Sequence, residues 1–519
     1  MRRNQNMCKF HFLRLRAAAP AAGAALVALA ALTLNGCVVG PDYRGAPDAA
    51  PNAKSAAHFN RAPPQGVSDA PAVADWWNSL GDPQLNALIE TALEKSPGIR
   101  IAQARLRQAR AGLALSRRNA LPKASARALA LRMRSPDTSA LLGPSGGAQN
   151  GSAGQGGSQS SGRGPLQLYD IGFDATWEAD LFGGVKRAVE AASADAEASQ
   201  ANLDDAHVSL AAEVAQNYVD LRDLQLRLAL QRQSADLEQK MLALSEQRRA
   251  RGAASDADIE RLRTQLETTQ ATLIPLDAQI GAALDALAVL TGREPGALDP
   301  ALRGGGPLPS LPATVAIGNP ADVIRQRPDI RAAERQLASR NAQIGTKVAA
   351  RFPKLTLIGD IGYSAADPAH LLRKDSFTWA GLPYLSWNFL DFGRNRSAVK
   401  QAEAGYDEAE AQYRSTVLNA LKDAETALSR YGHQRANLES LMKVQTMTAQ
   451  SVAYAEQRYQ AGAISLIDRY DSQRSGLAAQ QNAVAGQAEL IKDFVSLQKS
   501  LGLGWQHCKD CLEGKYSQL

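Results

Sequence analysis

The segment YDIGFDATWEADLFGGVKR, residues 169–187, changes its repeat halfway along. Tyr169, Ile171, Phe173, Ala175 and Trp177 alternate with Asp170, Gly172, Asp174 and Thr176, the two-residue period of a strand with one apolar face. Phe182-Gly183 ends that pattern, and residues 185–251 then run for 67 positions without Gly or Pro. As one helix this run would extend about 100 Å at 1.5 Å per residue. Leu203, Leu210, Val214, Leu221, Leu224 and Leu228 fall at three-, four- and seven-residue spacings, which give the narrow seam of a coiled coil. Gly252 stops the run. Ile259, Leu262, Leu266, Leu273, Ile280, Leu284 and Leu287 then mark a helix returning to Gly292, with Pro275 expected to kink it.

The same layout occurs twice. Ser96-Pro-Gly-Ile-Arg100 recurs as Arg327-Pro-Asp-Ile-Arg331, and Leu121-Pro-Lys123 as Phe352-Pro-Lys354, each 231 positions on. Farther along, Trp177, Phe182-Gly183, Gln247-Arg248 and Gly252-Ala253 match Trp387, Phe392-Gly393, Gln457-Arg458 and Gly462-Ala463 at an offset of 210. The difference arises from a Gly/Ser-rich insert through about 143–165 in the first copy, as expected of a surface loop. The second long run shows Val417, Leu421, Ala424, Leu428, Tyr431 and Leu438. Each copy therefore reads as a helix of about 25 residues, two strands, and a long helical hairpin. The strands of the second copy alternate Leu355, Leu357, Ile361 and Tyr363 with Thr356, Asp360, Gly362 and Ser364. Phe377, Trp379, Leu385, Trp387 and Phe389 share a parity opposite Thr378, Tyr384, Ser386 and Asn388. Runs of about ten residues with an apolar face and aromatic ends suit outer-membrane barrel strands. A half-buried sheet over a soluble core gives the same alternation.

The composition agrees with long packed helices: 519 residues, 45% apolar but only 5% aromatic. The net charge of +6 belongs to the N-terminus, because residues 1–36 hold Arg2, Arg3, Lys9, Arg14 and Arg16 without an acid, leaving +1 for the rest. Nucleic acid is thereby disfavoured as a partner. The basic stretch precedes an apolar run at 17–34 and Leu34-Asn-Gly-Cys37, a secretory signal ending at a cysteine. A membrane-spanning anchor is the alternative, weakened by Pro20 and Gly23. His507-Cys508-Lys-Asp-Cys511 is a single pair in a polar tail, too few ligands for a structural zinc site and read as a surface pair. The six histidines (His11, His58, His207, His370, His433 and His507) are scattered, and no nucleophile elbow, phosphate loop or zinc-protease motif occurs. No enzyme, metal or bound cofactor is expected.

Gly36-Cys37 after Leu34 resembles the bacterial lipobox, which implies cleavage before Cys37, lipid on its sulfur and amino group, and, with Val38 following, residence in the outer membrane. Four strands cannot close a barrel, and open edges are not tolerated in lipid, so closure requires several chains. The mature chain resembles the outer-membrane factor channels of tripartite efflux systems, the TolC-like or NodT-type lipoproteins. The likeness is carried by Val39-Gly-Pro-Asp-Tyr43, Trp76-Trp77, Asp82-Pro83, Leu88-Ile89, Arg327-Pro-Asp-Ile-Arg331, Ala333-Glu334, Ile344-Gly345, Phe352-Pro353, Asp391-Phe392-Gly393 and Asp471-Ser-Gln-Arg474.

The resemblance implies a mixed, mostly α fold, internally duplicated, in which a long antiparallel coiled-coil helical barrel continues a transmembrane β-barrel. The β-barrel closes by trimerisation, four strands from each of three chains. It implies passive export driven by an inner-membrane pump of the RND type through a periplasmic adaptor. Type I protein secretion is the alternative duct; a periplasmic adaptor or a structural helical lipoprotein fits less well, since two hairpins alternate with strands. In this family the hairpin tips form the periplasmic gate. The pattern places Gly252 and Gly462 at the tip turns, with Asp258, Tyr459, Asp468 and Asp471 at the gate. A family arginine two positions after the second glycine is replaced by Ile464. The alternative is that Asp258, Asp468 and Asp471 are first-turn acids stabilising a helix N-terminus. The expected organisation is a signal at 1–36, a lipidated arm at 37–80, a first repeat at 81–303 and a linker at 304–320. A second repeat follows at 321–505 and a tail at 506–519. The β-hairpins are expected at about 123–178 and 354–389, and the helical hairpins at about 185–291 and 394–501.

Overall fold

A computed structural model describes residues 38–133 and 166–505. The signal, Cys37, the insert at 143–165 and the tail with His507, Cys508 and Cys511 lie outside these described residues. Helices α1 (Pro83–Lys95) and α2 (Pro97–Arg118) lead into strand β1 (Lys123–Met133). Strand β2 (Leu166–Ala179) is followed by α3 (Gly184–Ala250) and α4 (Asp256–Leu290). The second half repeats the order: α5 (Pro320–Gln326), α6 (Pro328–Ala349), β3 (Lys354–Ala365), β4 (Phe377–Ser386), α7 (Arg394–Gln460) and α8 (Leu466–Ser500). The paired helices match in length: α2 and α6 have 22 residues, α3 and α7 have 67, α4 and α8 have 35. Prolines mark the starts, because the first helical position needs no N–H donor. Pro83 follows the cap Asp82, whose carboxylate accepts from Gln84 N and Leu85 N at 2.9 and 3.1 Å. Helix α4 continues past Pro275 as one element.

The chain divides into two compact units. One comprises Asp42–Ser116, Val189–Ala342 and the chain from Gln401 onward. Its core gathers Trp76, Trp77, Leu85 and Ile89 with Val214, Tyr218 and Leu221 of α3, Leu284 and Leu287 of α4, and Ile491 and Phe494 of α8. The Trp76 ring meets Trp77 and Phe494 edge-on at 5.6 and 6.0 Å. Each fully buried apolar side chain of this kind contributes roughly 1.5–3 kcal/mol. Buried Arg222 is held by Gln84 Oε1 at 2.6 Å and the Leu302 carbonyl at 3.3 Å. The expected linker and arm pair with each other: Val67–Ser68 lies parallel to Val315–Ala316. Helix α4 has an 18-residue window of mean hydropathy 1.6, enough by length and composition to cross a bilayer. Its Ile280, Leu284, Leu287 and Ala288 belong to this core instead.

The other unit holds the sheet, ordered β1-β2-β3-β4 and antiparallel throughout. β2 and β3 join the two copies, leaving β1 and β4 as edges. Ala126, Phe173, Ile361 and Trp379 are successive partners across the sheet and share one face with Ala128, Ile171, Tyr363 and Phe377. This face is exposed at Ile171, Phe173, Ile361, Phe377 and Trp379. The opposite face carries the charged side chains, alongside Leu129, Leu131, Leu168, Ile358 and Leu382. Ser125 donates to Asp174 at 2.7 Å, and Arg127 pairs with Asp170 at 2.6 Å and with Asp360 two strands away. Opposite Arg127 stand Gly172 and then Gly362.

One expectation is corrected. The final strand ends at Ser386, so Trp387 and Phe389 lie beyond it. The last ladder pair is Lys354 with Ser386, and Pro353, which precedes it, has no N–H with which to extend the pairing. Trp387 instead donates its indole N–H to Arg351 O at 3.1 Å, as Trp177 does to Ala120 O at 2.9 Å.

The glycine pair generates a prediction. A Cβ at Gly172 would lie 2.6 Å from Ile361 O, whereas one at Gly381 meets nothing within 4 Å. Gly172→Val should cost about 3 kcal/mol or more and open the β2–β3 ladder to limited trypsin digestion. Gly381→Val should digest like the wild-type protein, and equal resistance of both variants would refute the close approach.

Candidate functional site

The tips of the two helical hairpins carry the residues singled out above, and they are built alike. At the first, the N–H groups of Gly252 and Ala253 return to the carbonyls of Arg249 and Arg248, both at 2.8 Å. At the second, Gly462 and Ala463 return to Tyr459 and Arg458 at 2.9 and 2.8 Å. This double bond closes a helix through one left-handed residue. Gly252 and Gly462 supply it with φ of 76° and 72°. A Cβ at either would meet nothing within 4 Å, so backbone conformation and not space requires glycine here.

The returning helices start in identical capping boxes. Ser255 Oγ accepts from Asp258 N at 3.2 Å, and Asp258 accepts from Ser255 Oγ and N at 2.7 and 3.3 Å. Ser465 and Asp468 repeat this at 3.2, 2.7 and 3.0 Å. Asp258 and Asp468 therefore have a helix-terminal role in the chain. The hydrogen bonds from their serines hold both carboxyls below the ordinary range, and the positive charge of Arg248 acts in the same direction on each. Arg248 is thus the charge shared by the two tips. Asp471 pairs with Arg474 at 3.4 Å one turn along α8.

Tyr459 lies under the Arg469 guanidinium, 5.2 Å from the ring centre. Arg469 also pairs with Glu456, tying α8 back to α7. The sequence reading found Tyr459 but missed Ser255, Ser465, Glu456, Arg248 and Arg469. The serines were legible as the pattern Ser-x-x-Asp just after each tip glycine. The Arg469–Glu456 pair was not, since it joins side chains 13 positions apart across a turn. Arg469 makes a cross-helix tie at this tip, where Ile464 offers no charge.

Cys37 lies outside the described residues, but the chain beside it is closely held. Val39 N donates to Phe182 O at 3.2 Å, and Arg187 donates to the carbonyls of Val39 and Gly40 at 3.3 and 3.4 Å. Gly40 has φ of 94°, and a Cβ there would sit 2.5 Å from Gly345 Cα. Phe182 and Phe352 stack at 4.6 Å in the same unit. The Val39-Gly motif is thereby explained as a strand of backbone threaded where no side chain fits. Among the described residues, no group of three or more His, Cys, Asp or Glu side chains could hold a metal ion. The tip carboxylates face solvent beside helix termini; they offer charge, and no nucleophile and base are brought together.

Two long helical hairpins and a four-stranded antiparallel sheet with one exposed apolar face are the architecture of an outer-membrane channel protein. Residues 88–293 and 319–503 match the family model described as outer membrane efflux protein, and the chain belongs to that family. It is similar to outer membrane protein OprJ of Pseudomonas aeruginosa, 32% identical across 92% of this chain and 95% of the relative. It is 29% identical to nodulation protein T of Rhizobium leguminosarum bv. trifolii, over 91% and 96% of the two chains. Among solved structures it resembles the outer-membrane channel OprN, with a TM-score of 0.78, 32% identity, and 91% and 100% coverage of the two chains. It also resembles the open state of the Neisseria gonorrhoeae MtrE channel, with a TM-score of 0.73, 27% identity, and coverage of 90% and 99%. The protein is an efflux channel of the bacterial outer membrane, extending into the periplasm, and not an enzyme.

Removing a cap should fray a tip. Ser465→Ala should cost about 1 kcal/mol locally and speed hydrogen exchange at Leu466 to Asp468, leaving the Ser255 tip unchanged. Because folding depresses the Asp468 pKa, its contribution is full above the ordinary carboxylate value of about 4 and is lost as pH falls through the folded value. The opening free energy at this tip, with the intrinsic pH dependence of exchange divided out, should therefore fall below pH about 4. A pH-independent opening free energy would refute that assignment.

Proposed function

We propose that three copies of this chain form the exit duct of a tripartite pump, closing a 12-stranded β-barrel in the outer membrane above a helical barrel in the periplasm. The observation that carries this reading is the sheet. Among the described residues its β1 and β4 edges have no neighbouring strand, one face is exposed and apolar, and the other carries Arg127, Asp170, Asp174 and Asp360. Hydrocarbon tolerates such a sheet only when its edges are paired, and closure places the charged face on an aqueous lumen. A periplasmic adaptor and an inner-membrane RND-type transporter are the partners, and the transporter supplies the energy. The cargo is small molecules. Similar proteins are named for antibiotic, toluene and pyoverdine export, which supports a broad conduit without choosing a substrate for this one.

Cys37 is the lipid anchor on this reading. The threaded segment at 38–41 belongs to the unit that holds the sheet, so the cysteine is tethered to the membrane-facing part of the chain. A diacylglyceryl group plus one acyl chain is a two-signal anchor that holds stably. Cys37→Ala should abolish radiolabelled palmitate incorporation and leave an uncleaved precursor; normal processing would refute the anchor.

Asp258, Asp468 and Asp471, with Tyr459, are assigned to the gate. Threefold symmetry brings Asp468 and Asp471 toward one axis as six carboxylates, and Asp258 adds three. Like charges at a constriction attract cations, an effect screened over about 10 Å at 0.1 M salt. In planar bilayers the channel should prefer cations and be blocked by multivalent ones. Asp468→Ala with Asp471→Ala should raise the blocking concentration about tenfold or more while trimers still reach the outer membrane. Unchanged block would leave both aspartates with their helix-terminal role alone.

A further inference from the structure

Where α6 begins and α8 ends, a pocket of about 440 Å³ opens between α3 and α7, all of it within the unit that holds the helical core. Its size falls in the range of roughly 300–1,000 Å³ usual for small-molecule sites. The floor is fixed by Arg327, which donates to both oxygens of Asp329 at 3.0 and 2.6 Å and to Ser500 O at 2.6 Å. Asp205 of α3 stands beside this pair, half-buried, and forms no ion pair among the described residues. Burial and the neighbouring Asp329 push its carboxyl above the ordinary range, against the pull of Arg327 and Lys499. Nearer the solvent, Lys422 and Asp423 pair at 3.2 Å. Arg430 and Lys499 are exposed there and have no ion-pair partner among the described residues.

The duplication shows that the helix junction does not require these charges. By the sequence offsets of 231 and 210, Arg327 and Asp329 correspond to Ser96 and Gly98, and Asp205 to Ser415. Lys422, Arg430 and Lys499 correspond to Ala212, Asp220 and Val289. No cation of the pocket has a cationic counterpart, yet the paired helices of the two copies have equal lengths. Asp205, Arg430 and Lys499 thus have no structural duty that the other copy repeats. The arm also leaves this side of α7 free. It is held on Glu425, which accepts from Asn60 N and Arg61 N at 2.9 and 2.8 Å. Asp423 and Arg430 lie about 150° around the helix from Glu425.

We infer that this pocket binds a small zwitterion of the amino-acid or dipeptide kind, its ammonium group toward Asp205 and its carboxylate toward Arg430 and Lys499. A simple anion would meet the Asp205 carboxylate behind the two cations. A simple cation would have to pass those cations to reach it. A molecule carrying both charges satisfies all three unpaired groups, and hydrogen bonds between charged groups are the strong ones. Val208, Pro328 and Ala427 add apolar wall for a ligand side chain. One chain supplies the whole lining, so the site stands whether or not three chains close a ring.

The test is calorimetric titration of the full lipoprotein in mild detergent with three probes: alanyl-leucine, its N-acetyl form and its C-terminal amide. Alanyl-leucine should bind saturably, and removing either end charge should weaken binding about tenfold or more. Asp205→Asn should bring alanyl-leucine down to the wild-type affinity of the acetylated peptide, with no further loss for the acetylated peptide itself. Arg430→Gln with Lys499→Gln should act in the same way toward the amide. Asp236→Asn, in an exposed ion pair elsewhere on α3, should change nothing. Absence of saturable binding by alanyl-leucine overturns the site. Equal binding of the acetylated peptide leaves an anion site and overturns the zwitterion, and unchanged binding in the pocket variants overturns the residue assignment. Should a variant fail to fold, the three probes on the wild-type protein still decide.

Discussion

Among the described residues, two strand edges, those of β1 and β4, leave a row of N–H and C=O groups without a neighbouring strand, and much of the architecture answers to them. In water such an edge is a hazard of aggregation; in hydrocarbon each unsatisfied group costs several kcal/mol. The same sheet turns Phe173, Ile361 and Trp379 outward, so one face also needs an apolar surround. The proposed closed ring of identical sheets would answer both demands at once, since head-to-tail copies would present each β1 to a β4. In chain order α2 precedes β1 and α7 follows β4, the two strands that form the edges.

The charged face solves a smaller problem of the same kind. Arg127 reaches Asp170 on the neighbouring strand and Asp360 on the one beyond. The positions directly across from it are Gly172 and Gly362, so no side chain stands between the guanidinium and its farther partner. Glycine weakens a strand by removing a side chain that could pack. Here that weakness is offset by a cation tying the first copy's hairpin to the second copy's, and by the close approach of β2 and β3.

Legibility followed the range of the forces. The 67-residue helices were plain, because an absence of Gly and Pro over that length leaves few alternatives. The tip glycines were plain for the opposite reason: a single residue must adopt a positive φ between two long helices. The strand alternation located β2, β3 and β4, while β1 was placed only by the duplicated layout. The alternation overran the last strand by including Trp387, since parity cannot see that Pro353 ends the ladder. Aspartates at the tips could be found, yet their carboxyl hydrogen bonds to Ser255 and Ser465 make two of them helix caps, a local role that spacing alone left open. Arg127, Arg222 and Arg469 were invisible, because each acts on groups brought near by tertiary packing.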